Sequence, residues 1–163
     1  MDVVLDFETS GLSSSKGDEI VEATVIDGNG KPLINTLVKP VKNTNWPNAE
    51  RVHGISPITV RHAPILSEIK QDILNAVKDK RLIIFNKSFD LGFLPELEDY
   101  AEETVCCMKE MAKHMNISSG RISLINSAKI AGYEWEKGNQ QHRSLEDCLC
   151  TLFVWNYIEE NRK

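Results

Sequence analysis

A four-residue turn early in the chain constrains the fold more than any other feature of this sequence. Residues 27–30 (Asp-Gly-Asn-Gly) lie between two apolar stretches, residues 19–26 and 31–40. Because Gly and Asn accept the positive φ angles of tight hairpins, the two stretches are predicted to pair as antiparallel strands. A β-branched, apolar stretch over residues 1–7 predicts a further strand, so the fold is expected to begin with three strands.

Helical patterns dominate the later part of the sequence. Apolar side chains at three-to-four spacing predict a helix of about fifteen residues ending near Val77. Residues 81–86 predict a buried strand that leads into a helix from about Ser88. Four prolines from residue 40 to residue 64 indicate an irregular stretch. Further helices are predicted over residues 108–115, 123–131 and 144–160. This order indicates a mixed α/β sheet, and residues 1–163 are expected to form a single domain.

Composition excludes several classes of protein. Asp and Glu number 24 against 19 Lys and Arg, giving a net charge of −5, so the chain is not one that coats nucleic acid by charge alone. No apolar stretch approaches the roughly 18–20 residues of a membrane span. The first eight residues hold three acids and no base, which predicts no signal peptide. Four cysteines without zinc-binding spacing predict buried free thiols and a cytoplasmic setting.

The first candidate site lies at the end of the predicted first strand, at residues 6–8 (Asp-Phe-Glu). Alternate residues of a strand share a face, so Asp6 and Glu8 are expected to project the same way while Phe7 points to the core. Two neighbouring carboxylates repel each other, and bridging a divalent cation is the usual reason to keep them close. Taken alone, the pattern also fits solvated acids at a strand end, which is the commoner situation.

A second candidate site, residues 86–90 (Asn-Lys-Ser-Phe-Asp), lies at the next predicted strand-to-helix junction. One interpretation is that Ser88 or Asp90 caps the helix. The other is functional, because the ends of neighbouring strands are where open α/β sheets build their sites. In that interpretation Asp90 joins Asp6 and Glu8.

A third candidate site, residues 142–147 (His-Arg-Ser-Leu-Glu-Asp), opens the last predicted helix. His142 and Asp147 cannot share a face of one regular helix, because five residues rotate the chain by about 140°. If Ser144 is the N-cap, however, His142 lies in the preceding loop and Asp147 in the first turn. Both side chains then face one point from different directions.

The three motifs in this order resemble the DEDD superfamily of 3′–5′ exonucleases. The resemblance is to the branch with a histidine (DEDDh), which includes polymerase proofreading exonucleases and ribonuclease T. Residues 52–55 (Val-His-Gly-Ile) also resemble the family's His-Gly-Ile segment. The resemblance covers nearly the whole chain. It implies a ribonuclease H-like three-layer α/β fold, with a five-stranded mixed sheet flanked by helices, as one exonuclease domain.

The resemblance implies a two-metal reaction that removes nucleoside 5′-monophosphates one at a time from a 3′ end. The cofactors are two Mg²⁺ or Mn²⁺ ions, hard cations suited to carboxylate and phosphate oxygen. The implied metal ligands are Asp6, Glu8, Asp90 and Asp147. His142 is implied to accept the proton of the attacking water, a role suited to a group whose pKa is near neutrality.

The resemblance also implies a pocket for the terminal nucleotide. The residues implied to bind substrate are Thr9, Leu12, Val52, His53, Asn86 and Phe89. Leu12 is expected to wedge against the last base and Asn86 to support the pocket, while His53 has either a ligand contact or a structural role. Lys87 replaces the small residue often found at its position, and we hypothesise that it contacts backbone phosphate.

Three interpretations of function stay open at this stage. The first is an exonuclease acting on single-stranded 3′ ends, and the second is a proofreading subunit that works only with a polymerase. The third is a catalytically silent relative that binds nucleic-acid ends or a protein. A homodimer partner is possible and a membrane partner is not expected. DNA and RNA are not distinguished, because recognition of the 2′ oxygen has no local motif here.

Overall fold

This structure, a computed structural model, describes residues 1–135 and 142–162 of the chain. The strands in the described residues are β1 Asp2–Thr9, β2 Ile20–Asp27, β3 Pro32–Leu37, β4 Arg81–Ile84 and β5 Glu103–Cys106. They form one sheet in the order β3-β2-β1-β4-β5. The first three strands pair antiparallel in succession, whereas β4 runs parallel to β1, and β5 parallel to β4. The five-stranded mixed sheet is therefore confirmed.

Helices cover both faces of this sheet. They are α1 Pro47–His53, α2 Leu66–Val77, α3 Lys87–Asp90, α4 Leu97–Tyr100, α5 Cys107–His114, α6 Leu124–Ala131 and α7 Ser144–Glu160. The four helices predicted near residues 65–77, 108–115, 123–131 and 144–160 are present. None of the helices in the described ranges is long and apolar enough to cross a membrane.

Several details correct the sequence-based predictions. Helix α1 lies within the stretch predicted to be irregular, where Pro47 suits the first helical turn because its fixed φ is already helical. The helix expected from Ser88 is only the single turn α3. The third strand ends at Leu37 and the fourth at Ile84, which is earlier than predicted. Ser144 is the first residue of α7 and not its N-cap, because its backbone N–H and hydroxyl have partners on β2.

The core consists of two apolar layers, one on each face of the sheet. Val3, Leu5 and Phe7 of β1 pack with α2 and α4 on one face. Val4 faces the other way and packs with Ile83 and the inner sides of α5, α6 and α7. Burial of each large apolar side chain contributes roughly 1.5–3 kcal/mol. This double anchoring makes the ends of β1 and β4 a rigid support for side chains beyond them.

The cysteines are free thiols, as predicted. Cys107, Cys148 and Cys150 are buried, whereas Cys106 is half-buried. Burial raises the pKa of the Cys150 thiol to about 12, and the pKa of the Cys148 thiol also lies well above its usual range. These thiols are therefore protonated packing groups at neutral pH.

Candidate active site

Carboxylates from β1 and α7 meet at one edge of the sheet. Asp6, Glu8 and Asp147 place one carboxylate oxygen each within 4.8 Å of one another. We call these three residues the carboxylate cluster. Asp6 and Glu8 share a face of β1, and Phe7 between them is buried on the other side, so the predicted alternation is confirmed. The arrangement has the ligand type and spacing for a divalent cation.

Asp90 lies beside the carboxylate cluster but outside its 4.8 Å limit. Its side chain is 2% exposed, and its Oδ1 accepts a hydrogen bond from the Phe7 N–H at 3.1 Å. This bond joins α3 directly to β1. The two motifs are neighbours because Leu5 and Ile84, which precede them, are paired in the sheet. Asp90 is therefore held next to Asp6, as the functional interpretation of residues 86–90 expected.

The acids of this edge have raised pKa values. Burial is the main cause in each case, and repulsion between the acids adds to it for Asp6 and Glu8. The pKa of Asp6 lies well above its usual range, and the pKa of Glu8 is about 8. Burial likewise raises the pKa of Asp90 to about 8 and that of Asp147 to about 6. A bound cation removes this unfavourable free energy, so the residues fit a divalent metal.

Glu22, a residue that the sequence reasoning missed, lies opposite Glu8 on β2. Its carboxylate is buried and accepts hydrogen bonds from Arg143 Nε at 3.1 Å and from the Ser144 N–H at 2.9 Å. Burial alone raises the pKa of Glu22, but these hydrogen bonds and the charge of Arg143 outweigh it, and the pKa is lowered. The pair fixes the start of α7, the helix that carries Asp147, to the sheet.

His142 is an exposed residue immediately before this helix start. Its backbone φ of 69° lies in the left-handed region, which non-glycine residues seldom adopt. Burial raises the pKa of Asp147, and the electrostatic interaction with His142 and a hydrogen bond from its backbone partly offset that effect. The third motif therefore places His142 outside the helix and Asp147 in its first turn, as predicted. Residues 136–141, which precede the histidine, lie outside the described residues.

An apolar cleft of about 710 Å³ opens beside Glu8. Five of the predicted substrate-binding residues line it: Thr9, Leu12, Val52, His53 and Phe89. Leu12 is 86% exposed and Val52 55% exposed, so two large apolar side chains are left uncovered at one cleft. Such a surface suits a flat apolar ligand between them.

The ring of His53 is held by the backbone on both sides. Its Nε2 lies 3.0 Å from the Thr9 carbonyl, and its Nδ1 accepts the Ile55 N–H at 3.0 Å. These partners require a neutral ring protonated at Nε2. Burial lowers its pKa, which favours the same neutral form. His53 thus has a structural role in the cleft wall, and only its ring carbons are left to contact a ligand.

The ordered segment of residues 41–46, part of which lines the cleft, was not found from the sequence. The Glu19 carboxylate accepts the backbone N–H groups of Val41, Lys42 and Asn43 at 2.7–2.9 Å. Trp46 donates its Nε1–H to the Ile55 carbonyl at 2.7 Å. The signal available in the sequence was the Trp-Pro pair at residues 46–47, because a buried Trp before a proline-initiated helix indicates an ordered segment.

Asn86 and Lys87, the other two predicted substrate-binding residues, lie outside the cleft lining. Asn86 Oδ1 accepts the Ser88 hydroxyl at 3.2 Å, which supports the turn of α3. Lys87 Nζ is 2.8 Å from Glu98 Oε1 and 3.4 Å from the Thr104 carbonyl. The hypothesis that Lys87 contacts phosphate therefore requires the substrate to compete with Glu98.

A mixed five-stranded sheet with a cluster of carboxylates at its edge, free of ion pairs within the described residues, and an apolar cleft beside it is an arrangement typical of nucleases. The comparisons with known proteins agree. The family model RNase_T, described as Exonuclease, matches residues 3–154. The chain therefore belongs to this family of exonucleases, and the resemblance to the DEDD superfamily is confirmed.

Two curated relatives and one solved structure illustrate the similarity. The chain is 34% identical to DNA polymerase III subunit epsilon of Rickettsia conorii, covering 97% of this chain and 72% of that protein. It is 27% identical to an uncharacterized exonuclease, CP81, of Escherichia phage 186, covering 93% and 84%. A structure of exonuclease X in complex with 5′-overhanging duplex DNA superposes with a TM-score of 0.76 at 24% identity, covering 99% of this chain and 93% of that one. The ribonuclease H-like fold is thereby confirmed.

Proposed function

We propose that this exonuclease works in the 3′–5′ direction, releases nucleoside 5′-monophosphates, and uses residues 1–163 as one catalytic domain. The observation that carries the proposal is the carboxylate cluster. Its three oxygens lie within 4.8 Å, and none of the ion pairs in the described part of the chain involves Asp6, Glu8 or Asp147. A silent binding protein gains nothing from holding these acids close together, because their repulsion and partial burial cost free energy until a cation neutralises them.

Two Mg²⁺ or Mn²⁺ ions are the cofactors that best suit this donor set, which consists only of carboxylate oxygens. Asp6, Glu8, Asp90 and Asp147 would hold them. When bound, such ions supply positive charge for the scissile phosphate and lower the pKa of water. The contribution of the protein is to present the acids on rigid elements, with Asp90 fixed by the Phe7 N–H.

The remaining residues are assigned to the proton and to the nucleotide. His142 takes the proton from the attacking water, for which its exposure and its position before α7 are suitable. Leu12 wedges against the terminal base, with Val52 and Phe89 completing the apolar cleft. Thr9 contacts the terminal nucleotide.

The substrates that we propose are single-stranded 3′ ends of DNA or RNA. The printed name of the Rickettsia relative, a DNA polymerase III subunit, favours a second candidate within the same chemistry, a proofreading subunit. In that case a polymerase is the partner, and a homodimer is the alternative assembly. The cytoplasmic setting stays a prediction from the reduced cysteines.

The test uses 5′-labelled single-stranded DNA and RNA 20-mers with Mg²⁺ or Mn²⁺. We expect stepwise shortening from the 3′ end, loss of activity in EDTA, and protection by a blocked 3′ terminus. Asp6→Asn should abolish shortening, whereas Asp72→Asn, which removes an exposed acid of α2, should not. Internal cuts, or no cutting with either metal, would overturn the proposal.

A further inference from the structure

A second cavity, of about 650 Å³, lies beside α3 and α5 and is lined by basic residues. Lys109, Lys113 and Arg121 contribute to its walls, and all three are exposed. Among the described residues, no Asp or Glu lines it. We call it the basic groove. It concentrates three positive charges in a chain whose net charge is −5.

The positive charges of the basic groove have no ion-pair partner within the described residues. Across residues 1–135 and 142–162, Lys109, Lys113 and Arg121 take part in none of the ion pairs. Lys87 differs from these three residues, because its Nζ is paired with Glu98 Oε1 at 2.8 Å. Unpaired cations around a concave surface favour an anionic ligand.

The sheet places the basic groove next to the candidate active site. Leu5 pairs with Ile84, and Ile84 pairs with Cys106, so β1, β4 and β5 end along one edge. Neighbouring strands are about 4.8 Å apart. Ser88, which lines the groove, is followed directly by Phe89, which lines the apolar cleft. The groove and the cleft therefore lie on the two sides of α3.

We infer that the basic groove binds the backbone phosphates of the nucleic-acid strand upstream of its 3′-terminal nucleotide. The inference rests on the proposed function, which puts that terminal nucleotide in the apolar cleft. The three cations attract phosphate oxygens, and the hydroxyl of Ser118 is a further hydrogen-bond donor in the lining, whereas the Ser119 hydroxyl donates to the Arg121 carbonyl at 3.2 Å. Met108 and Ile117 give the groove apolar surface for sugars and bases.

The test is the variant K109Q/K113Q/R121Q, compared with K31Q/K78Q/K129Q, which removes three exposed positive charges outside the groove lining. Hydrolysis of the p-nitrophenyl ester of thymidine 5′-monophosphate reports catalysis without an upstream strand. We expect the groove variant to keep this activity and to raise KM for a 20-mer about tenfold. The slope of log affinity against log salt should fall by about 2, because each neutralised phosphate of a single strand contributes about 0.7.

Binding of the 20-mer, measured by fluorescence anisotropy in EDTA, separates this inference from the proposed function. If wild-type protein does not hydrolyse the ester or shorten the strand, the proposed function fails, while the anisotropy data still test the groove. An unchanged affinity and salt slope in K109Q/K113Q/R121Q would overturn the inference. An equal loss in K31Q/K78Q/K129Q would also overturn it, because the effect would then be one of overall charge.

Discussion

Two glutamates, one half-buried and one buried, face each other across β1 and β2 and have opposite electrostatic situations. Glu8 and Glu22 are paired in the sheet register. Burial and the neighbouring acids raise the pKa of Glu8 to about 8. The pKa of Glu22 is lowered, because Arg143 and the Ser144 N–H donate to its carboxylate. Glu22 is thus neutralised by Arg143, whereas Glu8 takes part in none of the ion pairs within the described residues.

The two glutamates therefore have different roles: Glu22 positions a structural element, and Glu8 belongs to the group proposed for the chemistry. The Glu22–Arg143 pair fastens the start of α7 and so sets the position of Asp147. The carboxylate cluster, in contrast, forms no ion pair within the described residues, which leaves its oxygens available to a cation from solution. One ion pair therefore positions α7, while the neighbouring acids of the carboxylate cluster stay available to bind a metal.

Removing a carboxylate from the cluster should have the largest effect. Glu8→Gln and Asp147→Asn should each lower exonuclease activity by at least about 10²–10³-fold, the scale for loss of a group that stabilises transition-state charge. Gel-based turnover of a labelled 20-mer measures this loss. Thermal unfolding in EDTA should show no destabilisation, because the substitutions relieve repulsion. Activity within a factor of two of wild type would contradict the assignment.

Breaking the ion pair between Glu22 and Arg143 should instead lower the free energy of unfolding. Arg143→Met leaves Glu22 buried without its cation and should cost about 3 kcal/mol, or about 6–12 °C in Tm. Glu22→Gln keeps an acceptor for the Ser144 N–H and should cost only about 1 kcal/mol. Differential scanning calorimetry compares the two variants. Equal Tm values for Arg143→Met and wild type would show that the pair does not hold α7.

The pH dependence of stability should sharpen the comparison. In the metal-free folded protein Glu8 and Asp90 keep their protons up to about pH 8, whereas their ordinary values are 4.5 and 3.8. The folded state then binds more protons than the unfolded state over this interval, so stability falls as pH rises from about 4.5 to about 8.

We expect Tm in EDTA to fall across this interval and Mn²⁺ to raise it most near pH 8. The double variant E8Q/D147N should show a flatter dependence. A Tm of the metal-free wild type that rises steadily from pH 5 to pH 8 would contradict the raised pKa values.

The smallest effect is expected at the rim of the apolar cleft. Leu12→Ala removes a side chain that is 86% exposed and should raise KM about fivefold, corresponding to roughly 1 kcal/mol of apolar contact with the terminal base. Its kcat and Tm should stay close to wild type. Ile58→Ala, at a position 66% exposed and outside the cleft lining, is the matched control. A KM unchanged by Leu12→Ala would remove Leu12 from the substrate contacts.

The residues of the carboxylate cluster could be predicted from the sequence, but the residues that surround and position them could not. Alternation along β1 is a local rule, so the shared face of Asp6 and Glu8 followed from spacing. The role of Glu22 did not, because Arg143 is 121 residues away in the chain and only the sheet and α7 bring them together. The same limit applies to Glu19, whose partners Val41, Lys42 and Asn43 lie in a segment without periodicity.

Short elements were missed, or predicted with the wrong length, for a different reason. Helix α1 has seven residues and α3 has four, which is too few turns for an apolar period to be recognised. Strand β5 has four residues and follows an acidic stretch; it entered the expected fold only through the family resemblance. Tertiary pairing with β4 defines it.

The central claim is that the carboxylate cluster, which forms no ion pair within the described residues, binds a divalent cation. Calorimetric titration of Mn²⁺ at pH 7, in two buffers of different ionisation heat, tests it most directly. We predict saturable binding to wild-type protein with release of protons from Glu8 and Asp90, and loss of that binding in E8Q/D147N. Equal Mn²⁺ affinity in E8Q/D147N and wild type, or no binding to wild type, would contradict the account.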